Sequence, residues 1–347
     1  MVAVFHRIVG RRYLVTTRPL ALVLAALLAI VTAPPSATPA PPPGKVLRIG
    51  LLYGIRPTFE PASNPVDRAL VDGLRASGYE LGRNVTIEFR SAQGNPERLP
   101  ELAAELVRLK VDILVTVGTG PTLAAREATQ TIPIVVVGFA DLVAAGIVAS
   151  LARPGGNITG VSVNAAEISA KRVQLLQEAV PKLSRVAVLW NSNLIGMMLS
   201  FQQIEMAAPS RGVTVQSVRV SSSDDFDRAF AAMSRERPGG LIVLFGPMRG
   251  NDLPRIVEFV TRTRLPAIFE VGQGVRGGGL MEFGPSLPDL ARHVGAYVDK
   301  IANGARPGDL PVEEPTRFEL VINLKAARTL GLTIPPSLLL RADRVVE

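Results

Sequence analysis

The chain has 347 residues, 47% of them hydrophobic, which exceeds one typical domain and is ample for a buried core. It contains no cysteine, so disulfides, thiolate chemistry and a lipid attached to cysteine are excluded. The formal net charge is +8, but half of that excess comes from Arg7, Arg11, Arg12 and Arg18, in a segment of forty residues without an acid. The remaining excess is small, and we expect no nucleic-acid partner.

Residues 1–40 have the pattern of an export signal. A basic start precedes an apolar stretch at positions 20–31, and a segment rich in alanine, proline and serine follows. The apolar stretch is too short to cross a bilayer, which favours a cleaved signal peptide and a Pro-rich spacer; an uncleaved N-terminal anchor is the alternative. We therefore expect a periplasmic protein. No cleavage point is assigned, because prolines crowd the candidates Ala33, Ala37 and Ala40.

From Lys45 onward, short β-branched runs alternate with stretches of helical period. Several runs are apolar on both faces, as in a parallel sheet covered by helices. The pattern predicts an α/β fold. Strands are predicted at 46–53, 84–90, 111–118, 132–139, 185–190, 213–220, 240–246 and 265–271, and helices at 66–78, 96–110, 170–180 and 288–301.

The alternation breaks within residues 150–164, where Pro154, Gly155 and Gly156 stand together, and then restarts. Each half contains about four strand–helix units, so we predict two similar Rossmann-like lobes with parallel sheets. The segments 277–304 and 318–332 are less regular. Late crossings between the lobes are expected there, although periodicity does not establish them.

A glycine-rich turn opens a predicted helix in VTVGTGPTLAAREA, residues 115–128. Gly118, Thr119 and Gly120 make the turn, and Pro121 suits the first helical position. With Thr119 or Gly120 as the N-cap, backbone N–H groups and the hydroxyls of Thr119 and Thr122 are available to an anion. The alternative is a capped helix whose N-terminus binds nothing.

A dinucleotide is not expected at this turn, and the sequence indicates no cofactor. The turn follows the third predicted strand rather than the first, and Leu123 stands where the third glycine of the fingerprint belongs. Asp141 ends the next strand, where we predict that it caps a helix over 142–151. Facing a cleft, the same carboxylate is able to accept a hydrogen bond from a ligand ammonium group.

Other polar and aromatic residues also follow predicted strands. In an open α/β sheet, ligands bind beyond the carboxyl ends of the strands. Together these residues would line a cleft with apolar walls and a few polar groups, although core packing is the commoner role for any single aromatic residue. The candidates of this kind are Tyr53, Trp190, Asn191, Asn193, Phe245 and Glu270.

Residues 97–162, 178–191, 278–301 and 311–343, including TVGTGPTLAAREA and PVEEPTRFELVINLKAARTLGL, resemble the ABC-transporter substrate-binding family often labelled tryptophan/tyrosine transport substrate-binding protein. The resemblance covers residues 46–347. It implies a type I periplasmic-binding-protein fold, with two lobes joined by a three-strand hinge that close on a small ligand. We accordingly predict a signal peptide and spacer at 1–40, an N-terminal lobe of 45–161 plus 285–308, and a C-terminal lobe of 162–284 plus 309–347.

The resemblance also implies roles for individual residues. The turn from Gly118 to Thr122 would receive a ligand carboxylate, Asp141 would face an α-amino group, and Asn191 and Asn193 would close from the second lobe. Family members commonly have proline where this chain has Leu142 and Ser192. The segments 54–65 and 245–252 are also atypical, so the ligand does not follow from the resemblance.

The leading hypothesis is a solute-binding protein that captures a small ligand, such as an amino acid, for an inner-membrane ABC permease. We expect a monomer. We expect neither a metal site nor catalytic activity, because His293 is the only histidine beyond residue 40 and it falls in an amphipathic helical pattern. A ligand-sensing accessory of a receptor and an exported enzyme that uses carboxylates such as Asp141 and Glu270 are the alternatives. A sugar ligand also remains open.

Overall fold

The structure of the chain is a computed structural model that describes residues 46–138, 141–163, 165–244, 252–270 and 274–347. The predicted export signal lies outside the described residues. The described residues belong to one compact unit, which spans residues 41–347. Their strands form two sheets, one of five strands and one of seven.

The secondary structure alternates between strands and helices, as the sequence pattern predicts. The strands are β1 (Leu47–Tyr53), β2 (Val85–Ser91), β3 (Ile113–Val117), β4 (Ile134–Gly138), β5 (Ile158–Ser162), β6 (Arg185–Asn191), β7 (Thr214–Val220), β8 (Gly240–Val243), β9 (Ala267–Phe269), β10 (Met281–Pro285), β11 (Phe318–Asn323) and β12 (Arg344–Val346). The α-helices are α1 (Pro65–Ala76), α2 (Leu99–Arg108), α3 (Thr119–Ala128), α4 (Ala165–Ala179), α5 (Ile195–Ala207), α6 (Phe226–Glu236), α7 (Asp252–Thr263), α8 (Leu287–Ala302), α9 (Leu324–Leu330) and α10 (Pro336–Leu339).

The five-stranded sheet is parallel throughout, in the order β2-β1-β3-β4-β5. Its central strands are runs of valine, isoleucine and leucine, and β4 is buried along its whole length. Helices α1 and α8 pack over one face of this sheet, and α2 and α3 pack over the other. Burial on both faces explains why these strands are apolar without alternation.

The seven-stranded sheet has the order β12-β11-β10-β9-β8-β6-β7. Among its described strands, β10 and β11 are antiparallel and the other neighbours are parallel. Helices α4 and α5, with α9 and α10, cover one face, and α6 and α7 cover the other. Each sheet with its helices therefore forms a three-layer α/β sandwich.

The eight predicted strands correspond to β1–β4 and β6–β9, with ends shifted by one or two residues where these are described. The sequence analysis did not predict β5, β10, β11 and β12. Gly160 interrupts the apolar run of β5, and Gly284 with Pro285 interrupts that of β10. These strands form because distant parts of the chain pair with them, which a local pattern does not reveal.

The helix predicted after Asp141 is wrong, because residues 141–152 form turns and bends. The N–H groups of Ile147 and Val148 both donate to the carbonyl of Leu142, at 2.9 and 3.3 Å. Gly146 adopts φ +66°, a left-handed conformation that ends a helical turn. The backbone therefore closes on itself after one turn.

The chain passes between the two sheets three times. The first passage leads from β5 to α4 and the second from β10 through Ser286 to α8. The third comes after Glu313, whose backbone accepts from Ser162 and donates to Gly160 of β5, at 2.9 and 3.0 Å. The predicted lobe boundary at 308/309 lies a few residues before this passage. The division into lobes itself stays a prediction.

Helix α8 lies against α1 on the first sheet although both strands that flank it in sequence, β10 and β11, belong to the second. Two glycines make this contact possible. A Cβ atom on Gly73 of α1 would lie 2.3 Å from the carbonyl oxygen of Arg292, and one on Gly295 of α8 would lie 2.2 Å from the carbonyl carbon of Gly73. Both distances are shorter than any packed contact, so only glycine permits this crossing.

We predict that Gly295→Ala destabilises the protein by about 1–3 kcal/mol, because the new methyl group must push α1 and α8 apart. Alanine alone would favour the helix by about 1 kcal/mol, so the expected loss opposes the intrinsic preference. Urea unfolding of the purified protein measures the difference. His293→Ala on the exposed side of the same helix is the matched control, and a Gly295→Ala variant as stable as the wild type would contradict the close crossing.

Candidate ligand-binding site

Both sheets have a point at which the strand order reverses. In the first sheet β1 pairs with β2 on one side and β3 on the other, and in the second β6 lies in the same way between β7 and β8. At such a switch point the connections leave in opposite directions and open a crevice at the carboxyl ends of the strands. Helix α3 begins at the first switch point and α5 at the second, and these two helices approach each other. The two crevices therefore define one candidate site.

The turn at the first switch point begins α3 one or two residues earlier than predicted. Gly118, not Thr119 or Gly120, is the N-cap, and Pro121 is the third helical residue rather than the first. Gly118 has φ +99°, a conformation that residues with a Cβ atom rarely adopt. Its N–H donates to the carbonyl of Val137 in β4 at 2.9 Å, so the start of α3 is attached to the end of the neighbouring strand.

The hydrogen-bonding groups of this turn divide into two sets. The fully buried Thr122 hydroxyl donates to the Gly118 carbonyl at 2.8 Å and lies 2.8 Å from the Thr116 hydroxyl, so it stabilises the turn. The N–H groups of Thr119 and Gly120 have no partner within the helix, because they belong to its first turn. The described residues offer no hydrogen-bond partner to the Thr119 hydroxyl either. Two backbone N–H groups and one hydroxyl are thus available at the positive end of α3.

A buried carboxylate holds the loop that follows β1. Asp67 of α1 is fully buried and accepts from both terminal nitrogens of Arg56, at 2.9 and 2.7 Å, and from the backbone N–H of Glu60 at 2.8 Å. The Arg56 guanidinium also lies over the ring of Tyr53, 5.4 Å from its centroid. Burial, reinforced by the charge of Asp67, raises the pKa of the Tyr53 hydroxyl, which therefore stays protonated.

The sequence analysis missed Arg56 and Asp67. A signal was present for Asp67, which shares the apolar stripe of α1 with Leu70 and Leu74 at positions i+3 and i+7. A charged residue on a buried stripe requires a partner. Tyr53, which the analysis did predict, is 6% exposed and lies in the core of the first sheet.

Aromatic rings continue from Tyr53 toward the surface. The ring of Phe89 in β2 lies 5.7 Å from that of Tyr53, and Phe59 of the first loop stacks on Phe89 at 6.3 Å. Phe59 and Phe89 are both partly exposed. Tyr53 of β1, Phe59 of the following loop and Phe89 of β2 thus form an apolar wall near the carboxyl end of β1.

Asp141 caps the turn that replaces the predicted helix. One oxygen, Oδ1, accepts from the N–H groups of Val143 and Ala144 at 2.9 and 3.0 Å. The other oxygen makes no hydrogen bond to any described residue, and the side chain is exposed. Asp141 therefore keeps one carboxylate oxygen available at the edge where α3 begins.

At the second switch point, asparagines connect two loops. The side-chain oxygen Oδ1 of Asn191 accepts from the backbone N–H of Asn193 at 2.9 Å. The side-chain Nδ2 of Asn193 donates to the backbone carbonyl of Ser221 after β7 at 3.1 Å. Asn191 is 9% exposed, whereas Asn193 is exposed. These contacts hold the loop after β6 in place and leave the remaining amide groups of the two residues at the edge of the crevice.

Trp190 serves the core of the second sheet. Its ring stacks on Phe201 of α5 with centroids 4.8 Å apart, and its Nε1 donates to the Ser217 hydroxyl at 3.0 Å. One ring face and the indole N–H are therefore already occupied. The predicted site residue Phe245 lies outside the described residues.

Glu270 follows β9 and forms a buried ion pair. Its Oε1 lies 3.2 Å from Nη2 of Arg172 in α4, and the two side chains are 11% and 2% exposed. Burial lowers the pKa of the Arg172 guanidinium and the charge of Glu270 raises it. Glu270 was predicted from the sequence, whereas Arg172 was not, although it is a charged residue on an otherwise apolar face of α4.

The described residues contain no group of three or more histidine, cysteine, aspartate or glutamate side chains placed to hold a metal ion. Within the same residues, no helix combines the length and apolar character needed to cross a membrane.

Solved structures share this two-sheet architecture. A conserved domain protein from Vibrio cholerae O1 biovar El Tor superposes with a TM-score of 0.80 and 28% identity, over 87% of this chain and all of the other. The ABC domain of Streptococcus pneumoniae in complex with L-Trp superposes with a TM-score of 0.79 and 25% identity, over 86% and 99% of the two chains. The fold is that of the type I periplasmic binding proteins, which confirms the predicted fold class.

Sequence comparison gives the family. Residues 59–346 match the profile of the ABC transporter substrate binding proteins, and the chain belongs to this family, as the resemblance predicted. A tyrosine-binding protein of Clostridioides difficile (strain R20291) is 25% identical over 275 residues, 78% of each protein. The chain is therefore a substrate-binding protein of the ABC-transporter type, and its family is one of solute-binding proteins rather than enzymes.

The loop after β7 supplies a pH-dependent prediction. Asp225 accepts from the N–H and hydroxyl of Ser221 at 2.7 and 2.6 Å and from the N–H of Ser222 at 3.1 Å. These bonds, those of Ser221 first, lower the pKa of Asp225 from its usual value to about 2. The Asp225 carboxylate thus holds Ser221, whose backbone carbonyl accepts a hydrogen bond from the Asn193 side chain.

Because the folded-state pKa is lowered, the stabilisation by Asp225 is complete above about pH 4, the ordinary aspartate pKa, and is lost as the pH falls through about 2. The difference in unfolding free energy between the wild type and Asp225→Asn should be constant above pH 4 and shrink toward pH 2. Denaturant unfolding at several pH values measures it. Asp224→Asn on the same turn is the control, and a difference that does not change with pH would contradict the assignment.

Proposed function

We propose that the protein captures an aromatic amino acid at the two switch points and delivers it to an inner-membrane ABC permease. The observation that carries the proposal is that two neighbouring loops of the first sheet offer hydrogen-bonding groups of opposite kind, one suited to an anion and the other to a cation. The unoccupied N–H groups of Thr119 and Gly120 favour an anion, and the available oxygen of Asp141 favours a cation. A free amino acid carries one of each.

The N-terminus of α3 and the turn at Asp141 are close in the fold. β3 and β4 are hydrogen-bonded neighbours, and the N–H of Gly118 donates to Val137 near the end of β4. In this proposal Thr119 and Gly120 hold the α-carboxylate, and Asp141 accepts from the α-ammonium group. Gly118 and Thr122 keep the turn in shape.

The aromatic side chain of the ligand is assigned to the apolar wall of Tyr53, Phe59 and Phe89. Edge and face contacts between rings stabilise such complexes by about 0.5–1.5 kcal/mol per pair beyond area burial. Relatives support this assignment, since one is named a tyrosine-binding protein and another was solved with L-Trp. On the second sheet, Asn191 and Asn193 close over the ligand, while Trp190 packs beneath them and Glu270 lies at the carboxyl end of β9.

The proposal also covers the export of the protein and its interaction with the permease. The basic and apolar N-terminal segment would direct export, and its cleavage would release a monomer into the periplasm. Closure of the two sheets on the ligand would present a changed surface to the permease. No catalytic step is proposed, in keeping with the family of solute-binding proteins.

The test is calorimetric titration of the refolded, ligand-free mature chain with three probes: L-tryptophan, tryptamine, which lacks the carboxylate, and indole-3-propionate, which lacks the amine. We expect L-tryptophan to bind most tightly, because each analogue leaves one charged group of the site unpaired. Ligand at one hundred times its dissociation constant should also stabilise the fold by about 2.7 kcal/mol in a thermal shift.

Asp141→Ala should weaken L-tryptophan binding about tenfold or more, because a hydrogen bond to a charged group is lost, and should leave indole-3-propionate binding unchanged. Asp72→Ala removes an exposed carboxylate of α1 far from the turn and is the matched control. Equal weakening of both ligands, or none, would remove Asp141 from the amine contact. Absence of binding by folded wild type to L-tryptophan and L-tyrosine alike would overturn the assigned ligand class.

A further inference from the structure

Arg172 is the largest fully buried side chain of the described residues, and it makes polar contacts to two separate elements. Its Nε donates to the backbone carbonyl of Phe283 in β10 at 3.1 Å. Its Nη2 lies 3.2 Å from Oε1 of Glu270, which follows β9. Arg172 itself belongs to α4, the helix that begins directly after the first passage between the sheets.

The two partners of Arg172 lie on neighbouring strands of the second sheet, since β9 and β10 pair in parallel with Phe269 opposite Glu282. Glu270 stands at the carboxyl edge of the second sheet, where ligands bind in this fold class. Phe283 lies in the strand that leads through Ser286 to α8 on the first sheet. Arg172 therefore connects the ligand-binding edge to the second passage.

Phe283 extends this connection to the third passage. Its ring stacks on Phe318 at the start of β11, with centroids 6.0 Å apart and an angle of 25° between the ring planes. Phe283 also packs against the buried residues of both sheets. Through Phe283, the guanidinium of Arg172 is joined to β10 and β11, the two strands next to the second and third passages.

A buried charge at this place is unfavourable for stability alone. Removing a guanidinium from water is opposed by a large desolvation penalty, and apolar side chains of similar volume often stabilise a core as well or better. Arg172 lies on α4, and its two nitrogens bind one group next to β9 and one in β10, so the helix is not free to shift relative to either of these paired strands. A movement at this edge of the sheet would therefore be transmitted to α4.

We propose that Arg172 is a positioning residue that couples the place of Glu270 at the ligand-binding edge to the hinge strands β10 and β11, and so sets the equilibrium between open and closed sheets. Arg172 is not assigned a ligand contact. The effect on ligand binding rests on the function proposed above, whereas the effect on the sheets does not require any ligand.

Two conservative variants break the connection at opposite ends. Arg172→Lys keeps the positive charge but offers one terminal nitrogen, which cannot reach both Glu270 and the Phe283 carbonyl. Glu270→Gln keeps the size and the hydrogen-bonding capacity of the side chain and removes the ion pair. If one of them does not fold, the other decides, because each weakens the contact between Arg172 and Glu270 from a different side chain.

The first sheet contains a more exposed arginine–glutamate pair that serves as a control. The Nε of Arg90 donates to Glu105 at 2.7 Å, and its Nη1 donates to the backbone carbonyl of the preceding residue, Phe89, at 2.8 Å. The two charged side chains are 31% and 32% exposed. This pair lies within one sheet and its helix, away from the passages. Arg90→Lys and Glu105→Gln therefore report what losing such a contact does to stability alone.

The absence of cysteine permits clean labelling of the sheets. Glu97→Cys after β2 and Asp224→Cys after β7 place one dye at the carboxyl edge of each sheet, on exposed side chains. Single-molecule energy transfer, far below the unfolding temperature, measures the distribution of the distance between the dyes without ligand. Titration with L-tryptophan then measures affinity on the same protein.

We expect both Arg172→Lys and Glu270→Gln to shift or broaden the distance distribution of the ligand-free protein, and the Arg90 and Glu105 variants to leave it unchanged. L-tryptophan affinity should fall at least about fivefold, a typical size for coupling between sites. Folded Arg172 and Glu270 variants with the distribution of the wild type would overturn the proposal, even if their unfolding temperatures fall. A wild type that does not bind L-tryptophan would overturn the ligand assignment only, because the distance measurement stands without it.

Discussion

The close crossing of α1 and α8 at Gly73 and Gly295 is the contact on which the two-sheet arrangement depends. The chain leaves the second sheet after β10, builds α8 on the first sheet, and returns to the second sheet with β11. Without close packing against α1, α8 would have no defined position on the first sheet, because the strands before and after it belong to the second. Gly73 and Gly295 have no Cβ atom, so the backbones of the two helices are able to come into direct contact. The strands on either side of α8 in sequence, β10 and β11, pair antiparallel in the second sheet, so the second and third passages lie side by side.

The position of the site follows from the strand order that this arrangement preserves. Each sheet reverses its order once, and parallel strands bring all their carboxyl ends to one edge. The positive end of α3 and the carboxylate of Asp141 then fall on adjacent loops because β3 and β4 are neighbours. In the proposed site, an amino acid would satisfy both groups, because it carries a carboxylate and an ammonium group on the same carbon. A sugar would satisfy the asparagines of the second sheet but would not require the unoccupied N–H groups of Thr119 and Gly120.

Buried charges hold the ligand-facing loops in both sheets. Asp67 binds Arg56 and fixes the loop after β1, and Arg172 binds Glu270 directly after β9. In each case a charge on a helix reaches a loop at the carboxyl edge, where an apolar contact would hold less specifically. Ion pairs of this kind add little net stability but are directional, and a binding site requires loops in one defined place. The two ion pairs differ in one respect, since Arg172 also donates a hydrogen bond to the backbone of β10.

The sequence by itself determined the α/β class, the two-lobed plan and most of the strands, because valine- and isoleucine-rich runs such as ILVTV and IVVVG are apolar on both faces and helices of period 3.6 separate them. It also located the turn at Gly118, since glycine after a buried strand and before a helix leaves few other readings. Tertiary structure decided what local pattern does not encode. β5, β10 and β11 are strands because partners distant in sequence bond to them, and Asp141 caps a turn because Gly146 ends the helix that its neighbours would allow. Arg56, Asp67 and Arg172 gain their roles from partners brought close only by folding, since a buried charge is defined by what lies beside it in space and not by its neighbours along the chain.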